Sequence, residues 1–283
     1  MSKKFLIFLL ITAVGFFGSF YVVSKLQARK LRQKQYQEAK NKKAEEINLT
    51  ILEGWHNNEI ADYLEKQGVV KKEDFKLAIK NFSISNFKFL PAQANGNLQG
   101  FLYPDTYRFF KSITDRTLTT PKEASEVVIK KMLQNFENKL PKDAENLAQQ
   151  HKLSLYEAII LASIVEKEAN NFPNEKATIA GIFLNRLKIG MPLQSDATVN
   201  YATGKSEASP SLVDLEVNSP YNTYKHKGLP PTPISNPSVK SIEAVLNPAD
   251  TEYLYYLHDQ KTGQPYYAKT HEEHVQNKFK YLK

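Results

Sequence analysis

Two glutamates, Glu166 and Glu168, follow an unbroken run of small and apolar residues from Ala158 to Val165. Ahead of the run, Ser154-Leu155-Tyr156-Glu157 reads as a capping box, in which the serine hydroxyl takes the third amide and the glutamate returns to the cap amide. The helix it opens is apolar on every side and belongs in the centre of a core. A carboxyl at the end of such a helix is partly desolvated, which disfavours its charged form and raises its pKa. A carboxyl raised in this way can serve as a general acid near neutral pH. Glu166 and Glu168 lie about 200° apart on a helix and cannot share one site. Glu166 continues the stripe of Ile159 and Ala162, and Glu168 that of Leu161 and Ile164, so periodicity does not separate them. The plainer reading is that both solvate a helix end.

A second apolar helix is expected over Thr178–Leu187, stopping near Gly190. Asn185 and Arg186 close it, and Gln194, Ser195, Asp196 and Tyr201 follow. Tyr221, Asn222, Thr223 and Tyr224 come later, then a proline-stiffened stretch containing Pro231. Such side chains hydrogen-bond hydroxyl and acetamido groups and stack on sugar rings, so they are candidate substrate-binding residues of a carbohydrate cleft. A surface loop could also carry this composition with no ligand.

Other chemistries are poorly served. The chain holds no cysteine, which excludes disulfides, thiolate metal sites and a cysteine nucleophile. His271-Glu272-Glu273-His274 is not HExxH, and Thr270 to Glu273 fits a capping box for a last helix. Gly-rich phosphate loops and GxSxG are missing from the sequence, so neither a metal nor a cofactor is expected. The formal charge of +8 suits nucleic acid, anionic lipid or an acidic polymer, but the basic residues are spread among acids instead of forming a stripe, which argues against nucleic acid.

These residues imply an α+β protein. Phe5–Ser24 is a charge-free run of twenty residues, long enough to cross a bilayer, and its weak Val22-Val23-Ser24 site favours an uncleaved anchor over a signal peptide. Residues 25–46 are charged and free of Gly and Pro, as in a helical stalk or solvated linker. Ile47, Leu49 and Ile51 alternate as in a strand. Asn57 or Asn58 then caps a helix carrying Ile60, Ala61 and Leu64, and Lys72-Glu73-Asp74 opens another. Leu98–Phe109 suggests strand, turn, strand. Residues 121–150 read as one or two amphipathic helices broken by Pro141. A hairpin of Tyr253–Leu257 with Tyr266–Ala268 and a terminal helix finish the chain.

Four separated stretches carry a family resemblance: LYPDTYRF (102–109), LASIVEKEA (161–169), IAGIFLNRLKIGMPLQSDATVNYA (179–202) and SPYNTYKHKGLPPTPISNPSVKSIEAVLNP (219–248). Collinear from about residue 47 to 270, they resemble the YceG-like family. The resemblance implies 1–24 as cytoplasmic tip and anchor, 25–46 as stalk, 47–110 as a LysM-like subdomain and 111–283 as a mostly helical catalytic domain. It implies lytic transglycosylase activity on nascent peptidoglycan glycan strands, at the outer face of the cell (inner) membrane, with wall-synthesis proteins as admissible partners. The basic residues after the span run against that orientation under the positive-inside rule, which is weak for long domains.

The family's catalytic glutamate lies in the VEKE motif and is carried to Glu166, with Glu168 as the lesser candidate. One carboxyl would protonate the glycosidic oxygen between N-acetylmuramic acid and N-acetylglucosamine. It would then deprotonate the muramyl C6 hydroxyl, which closes on C1 to give a 1,6-anhydro end. A hydrolase would need a second acid, for which Asp196 is the nearby residue, though a loop Asp more often caps local amides. Replacing a desolvated Glu166 by Gln is expected to spare folding. Trp55 could touch wall sugar or pack a small core, and packing is the favoured reading. A non-catalytic wall-binding scaffold is the alternative.

Overall fold

A computed structural model of the chain describes residues 25–27, 29–31, 33, 46–110, 120–169, 172, 174–207 and 209–282. The expected anchor at 5–24 lies outside the described residues, and among those no helix is long and apolar enough to cross a membrane. Residues 25–27, 29–31 and 33 are helical, in a unit separate from the compact body that begins at Ile47.

The body is α+β. Strand β1 (Glu46–Thr50) pairs with β2 (Thr106–Phe110). Between them stand α1 (Asn57–Lys66) and α2 (Lys72–Asn81). Helices α3 (Pro121–Lys139) and α4 (Ala144–Gln150) precede α5 (Leu155–Glu168) and α6 (Glu175–Lys188). Then come α7 (Asp196–Thr203), the single turn α8 (Leu212–Leu215) and α9 (Val239–Leu246). An antiparallel hairpin, β3 (Tyr255–His258) with β4 (Pro265–Ala268), pairs Tyr255 with Ala268 and His258 with Pro265, and α10 (His271–Tyr281) closes the chain.

Local signals explain most boundaries. Pro121 is the first residue of α3, where its missing amide costs no helical bond, and Thr120 with Glu123 forms the capping box. Ser154 with Glu157 and Thr270 with Glu273 form the expected boxes of α5 and α10. At α1 the expected Asn57 or Asn58 cap is corrected: the cap is His56, whose Nδ1 accepts from the Glu59 amide at 3.3 Å.

One hydrophobic core runs from Leu49 through α1–α3 to Leu246, with α5 buried at every position from Ala158 to Val165 and packed against α6 and α9. Trp55 packs against this core and meets Tyr63 edge-on at 5.3 Å. The expected strand-turn-strand over Leu98–Phe109 is half corrected, because only Thr106 onward is strand. The stretch before it is shaped from far away. The buried Asn236 Oδ1 accepts from the Gly100 and Leu102 amides at 2.9 and 3.0 Å, and its Nδ2 donates to the Trp55 carbonyl at 2.9 Å. Gly100 has φ +92° and faces Pro233 so closely that a Cβ would lie 2.5 Å from Pro233 Cγ.

Candidate active site

Helix α5 delivers its two glutamates to different surroundings. The side chain of Glu166 is 6% exposed, and its carboxylate accepts four hydrogen bonds. Lys176 Nζ donates at 2.8 Å, the Ser238 amide at 2.8 Å, and the Ser238 and Ser241 hydroxyls at 2.6 Å each. Ser238 is the N-cap of α9, so the anion also sits at the positive end of that helix. Burial pushes the Glu166 carboxyl up, but the bonds from Lys176, Ser238 and Ser241 outweigh it and its pKa is lowered. The expected raised pKa is therefore corrected. Desolvation acts in the expected direction; the partners that reverse its effect come from α6 and α9. Glu166→Gln, expected to spare folding, would remove the counter-ion of Lys176, whose side chain is 18% exposed.

Glu168 lines a cleft of about 1630 Å³ and is only partly buried. Its Oε1 accepts from Ser195 Oγ at 2.5 Å and the Ala197 amide at 3.4 Å, and its Oε2 accepts from Tyr256 Oη at 2.8 Å. An ionised carboxylate has about four acceptor positions, so one position on Oε2 remains for a ligand. Burial, then the Glu168 charge and hydrogen bond, push the Tyr256 phenol well above its ordinary value, and it stays a donor at neutral pH.

The candidate substrate residues divide. Arg186, Gln194, Asp196, Tyr201 and Tyr224 line the Glu168 cleft. Arg186 is held from behind by the Leu254 and Leu193 carbonyls, at 2.7 and 2.5 Å. Gln194 has φ +49°, an uncommon conformation for a side-chain-bearing residue, immediately before the serine that meets Glu168. Asp196 Oδ1 accepts from the Tyr224 hydroxyl at 2.6 Å. Ser195 and Thr223 are buried, and Thr223 Oγ1 accepts from the Ser195 amide at 3.0 Å, fixing the serine under the glutamate.

Other candidates stand elsewhere. Asn222 is buried and donates to the Leu215 and Val217 carbonyls at 2.8 and 3.0 Å, which makes it a loop clamp. Asn185 donates to the Thr251 and Tyr253 carbonyls at 2.7 and 3.1 Å and, with Pro231, lines a second cleft. Tyr221 packs on Tyr201 with ring centres 4.9 Å apart, and its hydroxyl meets Thr232 Oγ1 at 2.8 Å. The sequence reading missed Tyr256, placed by hairpin register, and His56 and Asn58, which bring the N-terminal end of α1 to the wall of the Glu168 cleft. Alternation in β3 was the available signal for Tyr256, but it gives only the face, not the neighbour.

Comparison with known proteins agrees with this architecture. An endolytic murein transglycosylase of Bacillus subtilis is 35% identical over 248 residues, covering 83% of this chain and 65% of that protein. One of Streptococcus pneumoniae is 35% identical over 196 residues, covering 66% of this chain and 33% of its own length. The chain thus spans less than two thirds of these relatives. The crystal structure of a YceG-like protein from Listeria monocytogenes superposes with TM-score 0.70 at 36% identity, over 81% of this chain and 75% of that one. The YceG-like family model matches residues 17–280, and the chain belongs to the YceG-like family.

Proposed function

We propose that this protein is an endolytic lytic transglycosylase of peptidoglycan, with Glu168 as its acid/base and Glu166 as the ion pair that seats the helix end. The observation that carries the reading is the contrast between the two carboxylates: Glu168 is open to a polar, tyrosine-lined cleft, whereas Glu166 is closed off by Lys176, Ser238 and Ser241. Kinship with proteins named endolytic murein transglycosylase supports the substrate. Glu168 protonates the glycosidic oxygen of a muramyl residue and then takes the proton of that ring's C6 hydroxyl as it closes on C1. Ser195 and Tyr256 hold the carboxylate while its charge changes. One carboxyl serves both half-steps, and water is not consumed because the C6 hydroxyl of the same ring is the nucleophile at C1.

Residues 47–110 are read as a LysM-like subdomain that lends His56 and Asn58 to the cleft. Residues 5–24 are read as a retained span, with the body outside the cytoplasm, where this substrate lies. Mass spectrometry of digested peptidoglycan tests the reaction. Anhydromuramyl ends are expected; reducing ends would indicate a hydrolase, and no cleavage a wall-binding scaffold. A C-terminal alkaline phosphatase fusion tests the side, and an inactive one would reverse the topology.

A further inference from the structure

The molecule carries a second cleft of the same size, about 1630 Å³, that the reaction at Glu168 does not use. It opens at the other end of α5, where Tyr156 lines it. Tyr156 and Glu168 are twelve residues apart, about 18 Å along the helix axis, which is the reach of several pyranose rings. Its walls combine aromatic, polar and proline side chains. Tyr156 offers a half-buried ring backed by Phe101, with ring planes 5° apart. Gln93 and Asp250 stand exposed on the rim. Pro230 and Pro231 stiffen one side, so the shape is preformed.

The two clefts are joined by one loop. Residues 228–231 line the second cleft and Ile234 lines the first. Between them Thr232 meets the Tyr221 hydroxyl at 2.8 Å, while the Tyr156 hydroxyl donates to the Pro231 carbonyl at 3.5 Å. Tyr201, on the Glu168 cleft, packs against Tyr221. Tyrosines therefore flank the loop on both sides and give a strand leaving Glu168 a series of ring faces to cross.

We infer that the second cleft, at Tyr156, Gln93 and Asp250, binds the continuation of the same glycan strand whose bond lies at Glu168, so that the enzyme holds long strands in preference to short ones. This rests on the function proposed above. An enzyme that cuts internal bonds gains from contacts remote from the reacting ring, because that binding positions the bond to be broken.

The chain contains no cysteine, so single cysteines can be labelled cleanly. In the full-length Glu168→Gln protein, which is expected to bind without cutting, a nitroxide would be attached at Asp250→Cys or, as control, at Glu207→Cys on the rim of the Glu168 cleft. The probes are glycan strands stripped of stem peptides by an amidase and a GlcNAc–MurNAc tetrasaccharide. Both labels should broaden the NMR signals of the long strand, and only the Glu207→Cys label those of the tetrasaccharide. A bulky maleimide at Gln93→Cys should weaken long-strand binding about tenfold and leave the tetrasaccharide unchanged. Broadening of the long strand by the Glu207→Cys label alone would overturn the inference and leave the proposed function standing. Broadening by neither label would remove both.

Discussion

The ammonium of Lys176 lies 2.8 Å from the carboxylate of Glu166, and 18% and 6% of the two side chains are exposed. Lys176 stands in the first turn of α6 and Glu166 in the last turn of α5, so the pair ties the helices together where the chain turns between them. Ser241 of α9 bonds both partners, at 2.6 and 2.8 Å, which adds a third helix to the junction. Glu168, two residues on, inherits its position from this joint.

The two glutamates should therefore fail differently. Glu168→Gln is expected to lose about 10²–10⁴-fold or more in anhydromuramyl release, with an unchanged melting curve. Glu166→Gln breaks a largely buried ion pair and should cost up to about 3–5 kcal/mol of stability, because the bond from Lys176 loses its charged acceptor. Product release and circular dichroism melting on both purified variants decide the matter. A stable, inactive Glu166 variant beside an active Glu168 variant would transfer the acid/base role to Glu166.

Stability should fall in acid in two stages. His274 is pushed down to about 4 by burial, with Lys278, Arg186 and His271 adding to it, whereas an unfolded histidine titrates near about 6.5. Between those values the unfolded chain binds more protons, so stability drops as pH falls from about 6.5 towards 4. Glu166 adds a lower window. Its contribution is fully present above the unfolded value of about 4.3 and drains as pH falls through its lowered folded value. Calorimetric Tm against pH tests both stages. His274→Phe should abolish the upper one and leave the lower, and a wild-type Tm that stays flat down to pH 4.5 would refute the role of His274.

Gly100 should not tolerate a side chain. At φ +92° an alanine is strained, and its methyl would sit 2.5 and 2.7 Å from two ring carbons of Pro233. Gly100→Ala should cost about 2–4 kcal/mol, measured by chemical denaturation. The loop that is displaced is the one separating the two clefts, so activity on long strands should fall with stability. A variant within 0.5 kcal/mol of wild type would show that the loop yields freely.

Local chemistry was legible in the sequence wherever a few neighbouring residues decide the outcome. Ser154 with Glu157, Thr270 with Glu273 and the all-apolar run of α5 fix their helices within one or two turns. The choice between Glu166 and Glu168 was not of that kind. The partners that distinguish them stand 10, 72 and 75 residues away for Glu166, and 27 and 88 away for Glu168. Position on the helix gave both the same apolar approach, and only tertiary contacts show that one is neutralised and the other left open. The same holds for 98–105, whose turns answer to Asn236, more than 130 residues on. Among the cleft residues, aromatic and amide content was a fair guide to Tyr201 and Tyr224. It could not tell a sugar contact from a clamp such as Asn222, because the side chains that suit hydroxyl groups also suit backbone carbonyls.

The hydroxyls of Ser195 and Tyr256 make the last test, because they touch the proposed acid/base residue, Glu168, without holding the core together. Each donates to a different oxygen of Glu168, at 2.5 and 2.8 Å. A hydrogen bond to a charged group contributes about 1.5–3 kcal/mol. If these bonds steady the carboxylate through proton transfer, Tyr256→Phe should lower kcat by about 10–100-fold with KM almost unchanged, since no substrate contact is removed. The phenylalanine keeps the ring that meets Phe183 edge-on at 6.0 Å, so the hairpin should stay in place. Ser195→Ala should show the same split, and Ser195→Thr should recover part of the loss because it restores a hydroxyl. Steady-state kinetics on glycan strands of one length distinguish the outcomes. A rise in KM at constant kcat would make both residues sugar contacts, and unchanged kinetics in both variants would show that Glu168 needs neither donor.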